Sequence, residues 1–183
     1  HELKTDEFAD LYAEELKAEG GVISGEQFVD ECQVESDLEL LLPATYVTGS
    51  SERMLLYREL DSLTLDKDVE AFRNRLIDRF GPVPSETEEL LRIVPLRRLA
   101  ARLGAEKVFL KGGRMSLFFI SNPESPYYQS QAFGKVIAYM MKYTRRCDLR
   151  EQNTRRSMLV KDVKNVETAV GVLREIVAMQ VEE

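Results

Sequence analysis

The side chains that most often carry catalysis or bind metals are scarce in this chain and widely separated. The only histidine is His1, and the only cysteines are Cys32 and Cys147. Nucleophilic triads and structural zinc sites need an imidazole or thiolates grouped at close spacing. We therefore predict no catalytic residue, no metal ligand and no cofactor site in this domain. Both thiols are expected to be buried and reduced, as in a cytoplasmic protein.

A glycine pair resembles a phosphate-binding loop but fits a turn better. Gly112 and Gly113 precede Arg114, and apolar β-rich runs flank them on both sides. A phosphate loop leads into a helix N-terminus, whereas a Gly-Gly pair between two strands is typical of a tight hairpin. The sequence therefore predicts a hairpin at this position.

Basic residues form the one chemically distinctive cluster of the chain. Seven lie within the 23 residues from position 92 to position 114, and four of these belong to one predicted helix. The four are Arg92, Arg97, Arg98 and Arg102. Arg98 and Arg102 share a face of this helix, and Arg97 lies near it. Phosphate-binding arginines would share a face and alternate with aromatic side chains, but this helix has no aromatic residue and Arg92 lies about 120° from Arg98. Two interpretations stay open: contact with nucleic acid, or solvated and protein-facing arginines.

Charge divides the chain into two parts. Residues 1–42 contain 13 of the 32 acidic residues and only Lys4 and Lys17 among the bases, whereas residues 43–183 have more bases than acids. We predict an acidic leader over residues 1–42 and a mildly basic α+β domain over residues 43–183. The leader is interpreted as a solvated segment, or else as a linker or protein-contacting surface. A start at His1 favours a domain cut from a larger protein.

Apolar residues that recur at steps of three and four predict the helices that must position these side chains. The predicted helices cover residues 6–19, 50–60, 66–80, 86–103, 126–140 and 165–180. Pro95 lies inside the fourth helix, where it removes a hydrogen bond and crowds the preceding turn. We expect a kink there, or two abutting helices.

Alternation of apolar and polar residues predicts the strands. It is strict over Cys32–Leu42, apart from Ser36, which predicts a half-buried strand. Further strands are expected at residues 107–110, 115–120, 147–151 and 156–161. The predicted fold is α+β, a small, mostly antiparallel sheet packed by several helices.

The sequence Leu-Ile-Asp-Arg-Phe-Gly-Pro-Val-Pro at residues 76–84 predicts a rigid corner between two helices. Gly81 can adopt a left-handed conformation after Phe80, and two prolines stiffen the link. Ser85 and Glu88 match an S-x-x-E capping box, so Ser85→Ala is expected to cost about 1 kcal/mol. The residues of this structural fingerprint are Asp78, Arg79, Phe80, Gly81, Pro82, Pro84, Ser85 and Glu88.

The corner and several segments in the same order resemble the C-terminal domain of bacterial transcription-repair coupling factors (Mfd). The likeness covers about residues 40–180. Besides the corner, the similar segments are Leu40 to Pro43, Leu56 to Leu60, Leu90 to Arg92, Leu96 to Ala100, Leu103-Gly104 and Lys111 to Arg114. Pro95 departs from the family pattern, because it interrupts a helix that is otherwise expected to be continuous.

This resemblance implies a non-catalytic, autoinhibitory protein-interaction domain. The parent in that family is an ATP-dependent translocase on double-stranded DNA that displaces stalled RNA polymerase and recruits UvrA for nucleotide excision repair. Its C-terminal domain lies after the motor, and residues 1–42 would then link the two. The implied partner is intramolecular: the UvrA-binding region near the N-terminus. No membrane contact is expected, and the alternative is a DNA- or RNA-binding module that uses the arginine-rich helix.

Overall fold

The computed structural model describes residues 28–181, so the helix predicted at residues 6–19 lies outside the described part. The helices of that part are α1 (Ser50–Ser62), α2 (Asp66–Phe80), α3 (Ser85–Arg102), α4 (Gln131–Lys142) and α5 (Val166–Val177), with a 3₁₀ turn at Pro126–Gln129. Its strands are β1 (Gln33–Ser36), β2 (Ala105–Lys111), β3 (Arg114–Phe119), β4 (Cys147–Gln152) and β5 (Arg155–Val160). The predicted α+β class is confirmed.

The described strands form one sheet in the order β1-β2-β3-β5-β4. β1 runs parallel to β2, and every other neighbouring pair is antiparallel. The predicted hairpin is β2-β3, in which Lys111 pairs with Arg114 across the two glycines. The sheet is therefore mostly antiparallel, as the sequence predicts.

One face of this sheet is buried under α3, α4 and α5. Side chains point to alternate faces along each strand, so every second residue of the central strands enters the core. The buried strand residues include Val108, Leu110, Met115, Leu117, Phe119, Met158 and Val160. They pack with Leu99 of α3, Val136 of α4 and Leu173 of α5. Complete burial of side chains of this size stabilises the fold by about 1.5–3 kcal/mol each.

A second hydrophobic cluster lies between α1, α2 and the first half of α3. Its buried members are Leu42, Val47, Leu56, Leu60, Phe72, Leu76, Leu91 and Val94. The residues of α2 in this cluster recur at steps of three and four and form one apolar stripe. Phe72 and Leu76 are buried, and Val69 and Phe80 are partly buried and pack against the cluster. The domain thus has two cores, and α3 contributes to both.

The strand predicted over residues 32–42 is shorter in the structure. β1 ends at Ser36, which pairs with Leu110 near the end of β2. Beyond this point β2 turns into the hairpin, so the chain has no partner for a longer ladder. Leu38 and Leu40 still pack against the main core, which explains the alternation that continues in the sequence.

One predicted helix is divided in the structure, and another is continuous where a break was expected. The helix expected at residues 126–140 is a 3₁₀ turn followed by α4, because the Ser130 hydroxyl accepts from Phe133 N (3.4 Å) and starts a new helix. α3 instead continues through Pro95, so the alternative of two abutting helices is wrong. Pro95 is itself buried between the two cores.

Both cysteines are buried and carry free thiols, as predicted. Within residues 28–181, no helix has the length and apolar content needed to cross a bilayer.

The end of α3 depends on one close approach. Gly104 follows the helix with φ +82°, and a Cβ at this position would lie 2.0 Å from the ring of Tyr127. Tyr127 is fully buried, and its hydroxyl donates to the carbonyl of Leu103. Only glycine allows the ring to pack against the backbone in this way.

We expect Gly104→Ala to destabilise the protein by about 2–4 kcal/mol, from a strained backbone and an overpacked core. Gly171→Ala is the matched control, because Gly171 is exposed within α5 and a Cβ there meets open space. The control should stabilise the protein by about 0.5–1 kcal/mol. Urea unfolding followed by circular dichroism measures both changes, and equal effects of the two substitutions would contradict the packing argument.

Candidate functional site

The predicted corner is formed by the end of α2. The N–H of Gly81 donates to the carbonyl of Ile77 (2.9 Å) and terminates the helix. Gly81 has φ +88° and ψ −164°, a region that is essentially restricted to glycine. Tyr46 holds the turn from outside, because its hydroxyl donates to the Gly81 carbonyl (2.8 Å) and its ring lies 5.7 Å from that of Phe80.

The predicted capping box does not form. The N-cap of α3 is Pro84, whose carbonyl accepts from Thr87 N (3.1 Å) and Glu88 N (2.9 Å). Ser85 is already the first residue of the helix, and no side chain caps the helix. Glu88 is used elsewhere, because both of its carboxylate oxygens accept from Arg73 Nε of α2 (2.9 and 3.2 Å). The predicted capping box is wrong because it needs Ser85 at the N-cap, whereas α3 begins one residue earlier and has Pro84 there.

The remaining fingerprint residues lie on the outside of the corner. Asp78 and Pro82 are exposed. Arg79 forms an ion pair with Glu52 of α1, and its guanidinium lies 4.9 Å from the ring centroid of Phe80. The ion pair connects α2 with α1 at the surface.

Three of the four candidate arginines line one groove of about 440 Å³. We call it the arginine groove. Its walls are α3 with Arg97, Arg98 and Arg102, the α1–α2 link at residues 63–65, and residues 30–32 before β1. The helical spacing that the sequence showed for residues 97, 98 and 102 thus places them together.

Arg92 of α3 lies outside the groove, next to the first residues of α5. Its guanidinium is 3.0 Å from Glu89 and 3.8 Å from Glu167. Glu89 also accepts from the backbone N–H groups of Val166 (2.7 Å) and Glu167 (3.1 Å), and so holds the first turn of α5. Arg92 therefore belongs to the junction of α3 with α5.

Acidic groups of the same domain pair with the groove arginines. Arg98 lies 3.0 Å from Asp66 and donates to the carbonyl of Thr64 (2.7 Å). Arg97 has a longer ion pair with Asp61 (3.8 Å), whose side chain is 77% exposed. Bidentate phosphate recognition needs arginines with donors available in the groove. The internal pairs use donors that bidentate recognition of phosphate would need.

Arg102 is the most buried of the three, and it lies near a second buried cation. Only 7% of Arg102 is exposed. Lys135 of α4 is equally buried and donates to the carbonyl of Val177 (2.6 Å) at the end of α5. Burial, together with the positive charge of Arg102, lowers the pKa of Lys135. Lys135 is therefore a buried cation that binds the end of α5 and does not line the groove.

The groove contains one thiol, which is not a nucleophile at neutral pH. Burial raises the pKa of Cys32 to about 12, although the nearby Arg97 opposes the shift. Thiolates are the reactive form, so the thiol is inert. Across the described part of the chain, no three His, Cys, Asp or Glu side chains come close enough to hold a metal ion.

The outward face of α1 is a surface that sequence reasoning missed. Met54 is 58% exposed and Leu55 is 63% exposed. The sequence periodicity could have indicated this surface. Leu56 and Leu60 form the buried stripe of α1, and Met54 and Leu55 lie off that stripe. Large apolar side chains that adjoin on a helix surface are typical of a protein-contact patch.

A sequence model of the TRCF domain matches residues 36–130, from the end of β1 through the 3₁₀ turn. This chain belongs to the TRCF domain family. Relatives of the TRCF domain include the transcription-repair-coupling factor of Rickettsia bellii (strain RML369-C), 29% identical over 150 residues and 79% of this chain. That of Rickettsia prowazekii (strain Madrid E) is 25% identical over 170 residues and 90% of this chain.

The TRCF domain spans a small part of these relatives, 13% of the first and 14% of the second. A solved structure described as the C-terminal domain of transcription-repair coupling factor has the same fold. It superposes with a TM-score of 0.60 at 19% sequence identity, covering 79% of this chain and 90% of that one.

The hydrogen bonds at the start of α3 predict which corner side chain matters for stability. Thr87 is fully buried, and its hydroxyl donates to the carbonyl of Leu41 (2.8 Å). Thr87→Val preserves the shape but leaves this carbonyl without its donor, so we expect a loss of about 1–3 kcal/mol. Ser85→Ala is the control and should change stability by less than about 0.5 kcal/mol, because no cap is lost. Thermal and urea unfolding of both variants would test this; a larger loss for Ser85→Ala would restore the capping box.

Proposed function

We propose that this TRCF domain is a non-catalytic regulatory module of a larger transcription-repair coupling factor. In this proposal it holds no cofactor and packs against the UvrA-binding region near the N-terminus of the same protein, which keeps the parent repressed. The parent would be a cytoplasmic, ATP-dependent translocase on double-stranded DNA that displaces stalled RNA polymerase and recruits UvrA. The names of its relatives support the coupling role.

The observation that most favours protein contact is the charge balance of the arginine helix. Arg97 and Arg98 pair with Asp61 and Asp66, and Arg92 pairs with Glu89. Non-specific binding to nucleic acid depends on cations that displace counterions from phosphates. Arginines already paired with carboxylates release fewer counterions. The alternative, a DNA- or RNA-binding module built on this helix, is therefore the weaker proposal.

The patch of Met54 and Leu55 on α1 is our proposed contact surface for the partner. It is apolar at its centre, with the exposed Arg58 one turn further along the helix. A small apolar centre with a polar rim is suited to an interface that must also open. Relief of repression then takes a few kcal/mol and leaves the domain folded.

The test is calorimetry at low salt between this chain and the folded N-terminal UvrA-binding region of the parent. We expect binding, and we expect Met54→Ser with Leu55→Ser to weaken it at least about tenfold, as loss of a central apolar anchor does. The matched control is Met141→Ser on α4, where the methionine is 69% exposed but lies outside the patch. It should bind like the unmodified chain.

Two results would count against this proposal. Absence of binding by the unmodified chain would contradict the regulatory contact, and an equal loss for Met141→Ser would contradict the assignment of the surface. Binding of duplex DNA or RNA by the chain would favour the alternative if its affinity fell by about one log-log unit per phosphate contacted as salt is raised.

A further inference from the structure

The sheet face opposite α3, α4 and α5 has two phenylalanines that lie outside both hydrophobic cores. Phe109 of β2 and Phe118 of β3 are half-buried, and among the described residues neither ring packs against either cluster. Their ring centroids lie 5.6 Å apart, with the ring planes at 75°. Large apolar side chains are normally placed in a core, so an adjoining pair on the outer face of a sheet indicates a surface for a ligand.

Strand register places a small polar side chain beside each ring. Phe109 pairs with Ser116 of β3, and Phe118 pairs with Ser157 of β5. Directly paired residues lie on the same face of a sheet, so both serines point outward with the rings. A serine leaves room over the sheet that a larger side chain would fill, and its hydroxyl can both donate and accept a hydrogen bond there.

Two basic side chains lie against these rings. The Lys107 ammonium is 4.4 Å from the centroid of one ring, and the Arg155 guanidinium is 5.5 Å from that of the other. Each cation also has an acidic partner, Lys107 with Glu35 (3.0 Å) and Arg155 with Glu106 (3.4 Å). Surface ion pairs of this kind are weak and screened by salt, so a polyanion can compete for both cations.

Two further cations lie at the hairpin end of the same face. Lys111 and Arg114 pair with one another across the turn, and both are exposed. Across residues 28–181, neither forms an ion pair with a carboxylate. Asp37 lies at this turn, but its carboxylate accepts from the backbone N–H of Gly112 (2.9 Å). Cations without an internal partner release the most counterions when they bind a polyanion.

Rings and cations on one face fit a single-stranded nucleic acid better than an acidic peptide. A peptide of acidic residues would satisfy only the cations, whereas unpaired bases stack on aromatic rings while their phosphates bind lysine and arginine. A stacked base contributes about 5- to 150-fold in affinity, and an exposed cation–π contact contributes about two- to fivefold. Bases can therefore replace Lys107 and Arg155 over the rings, which leaves both cations for phosphates.

We propose that the outer face of the sheet binds single-stranded RNA, with one base stacked on Phe109 and one on Phe118. Lys111 and Arg114 bind phosphates at the hairpin end, and the two serine hydroxyls hydrogen bond to ribose 2′-hydroxyls, the group that distinguishes RNA from DNA. This face is separate from the arginine groove and from the patch of Met54 and Leu55. The proposal therefore does not depend on the regulatory contact.

The test is fluorescence anisotropy of the chain with a labelled RNA of about eight uridines at low salt. We expect binding, and we expect Phe109→Leu with Phe118→Leu to weaken it at least about tenfold, because both stacking surfaces are lost. Leucine keeps an apolar side chain on each strand, and circular dichroism checks the fold. Phe118→Tyr is the matched control, since tyrosine keeps the ring, and it should bind like the unmodified chain.

A second variant tests the phosphate contacts on the exposed hairpin and keeps the test decisive if the leucine variant disturbs the sheet. Lys111→Gln with Arg114→Gln should reduce the slope of log affinity against log salt by about 1.4, because each phosphate contact on a single strand contributes about 0.7. Arg58→Gln with Lys67→Gln is the matched control, because it removes two exposed charges from α1 and α2. It should leave the slope unchanged.

Four results would overturn the proposal. The first is absence of RNA binding by the unmodified chain. The second is binding that Arg97→Gln abolishes and the leucine variant does not, which would assign the RNA to the arginine helix. The third is displacement of the RNA by polyglutamate with no effect of the leucine variant, which would assign the face to an acidic protein segment. The fourth is equal affinity for the matching deoxyuridine strand, which differs only in lacking the 2′-hydroxyl.

Discussion

Helix α3 is the element on which the rest of the domain depends, because it belongs to both hydrophobic cores. Leu91 and Val94 pack in the cluster with α1 and α2, and Leu96 and Leu99 pack in the cluster with the sheet. The helix contacts α1, α2, α5, β1 and β2. Pro95 lies at the boundary between the two cores. Dense packing on both sides sets the path of the backbone there, so the helix continues despite the hydrogen bond that proline removes.

Much of the fold could be predicted from sequence because periodicity reports burial directly. The stripes of α2 and α5 and the hairpin around Gly112 follow from local patterns alone. The end of β1 does not, since it depends on where the partner strand turns, about 75 residues later in the chain. The capping box failed for a similar reason. Glu88 has a better partner in Arg73, 15 residues earlier, and a local motif contains no information about that competition.

The candidate site shows the same division between local and remote information. Helical spacing predicts Arg98 and Arg102 on one face with Arg97 near it, and all three line the groove. Their pairing with Asp61 and Asp66 could not be predicted, because these acids come from the α1–α2 region more than 30 residues earlier. That pairing uses guanidinium donors that a phosphate contact would need.

The Met54–Leu55 patch and the arginine groove meet on α1, and this constrains how they could influence one another. Asp61 lies at the groove end of the helix, and Met54 and Leu55 lie two turns earlier on its outer face. Coupling between sites through a helix requires that the helix have two packed positions. Leu56 and Leu60 are buried in the second core, and Arg53 donates to the carbonyl of Val47 (2.7 Å), so α1 is held in one position. A movement of α1 would therefore disrupt the second core, which positions both the Met54–Leu55 patch and the α1 side of the groove.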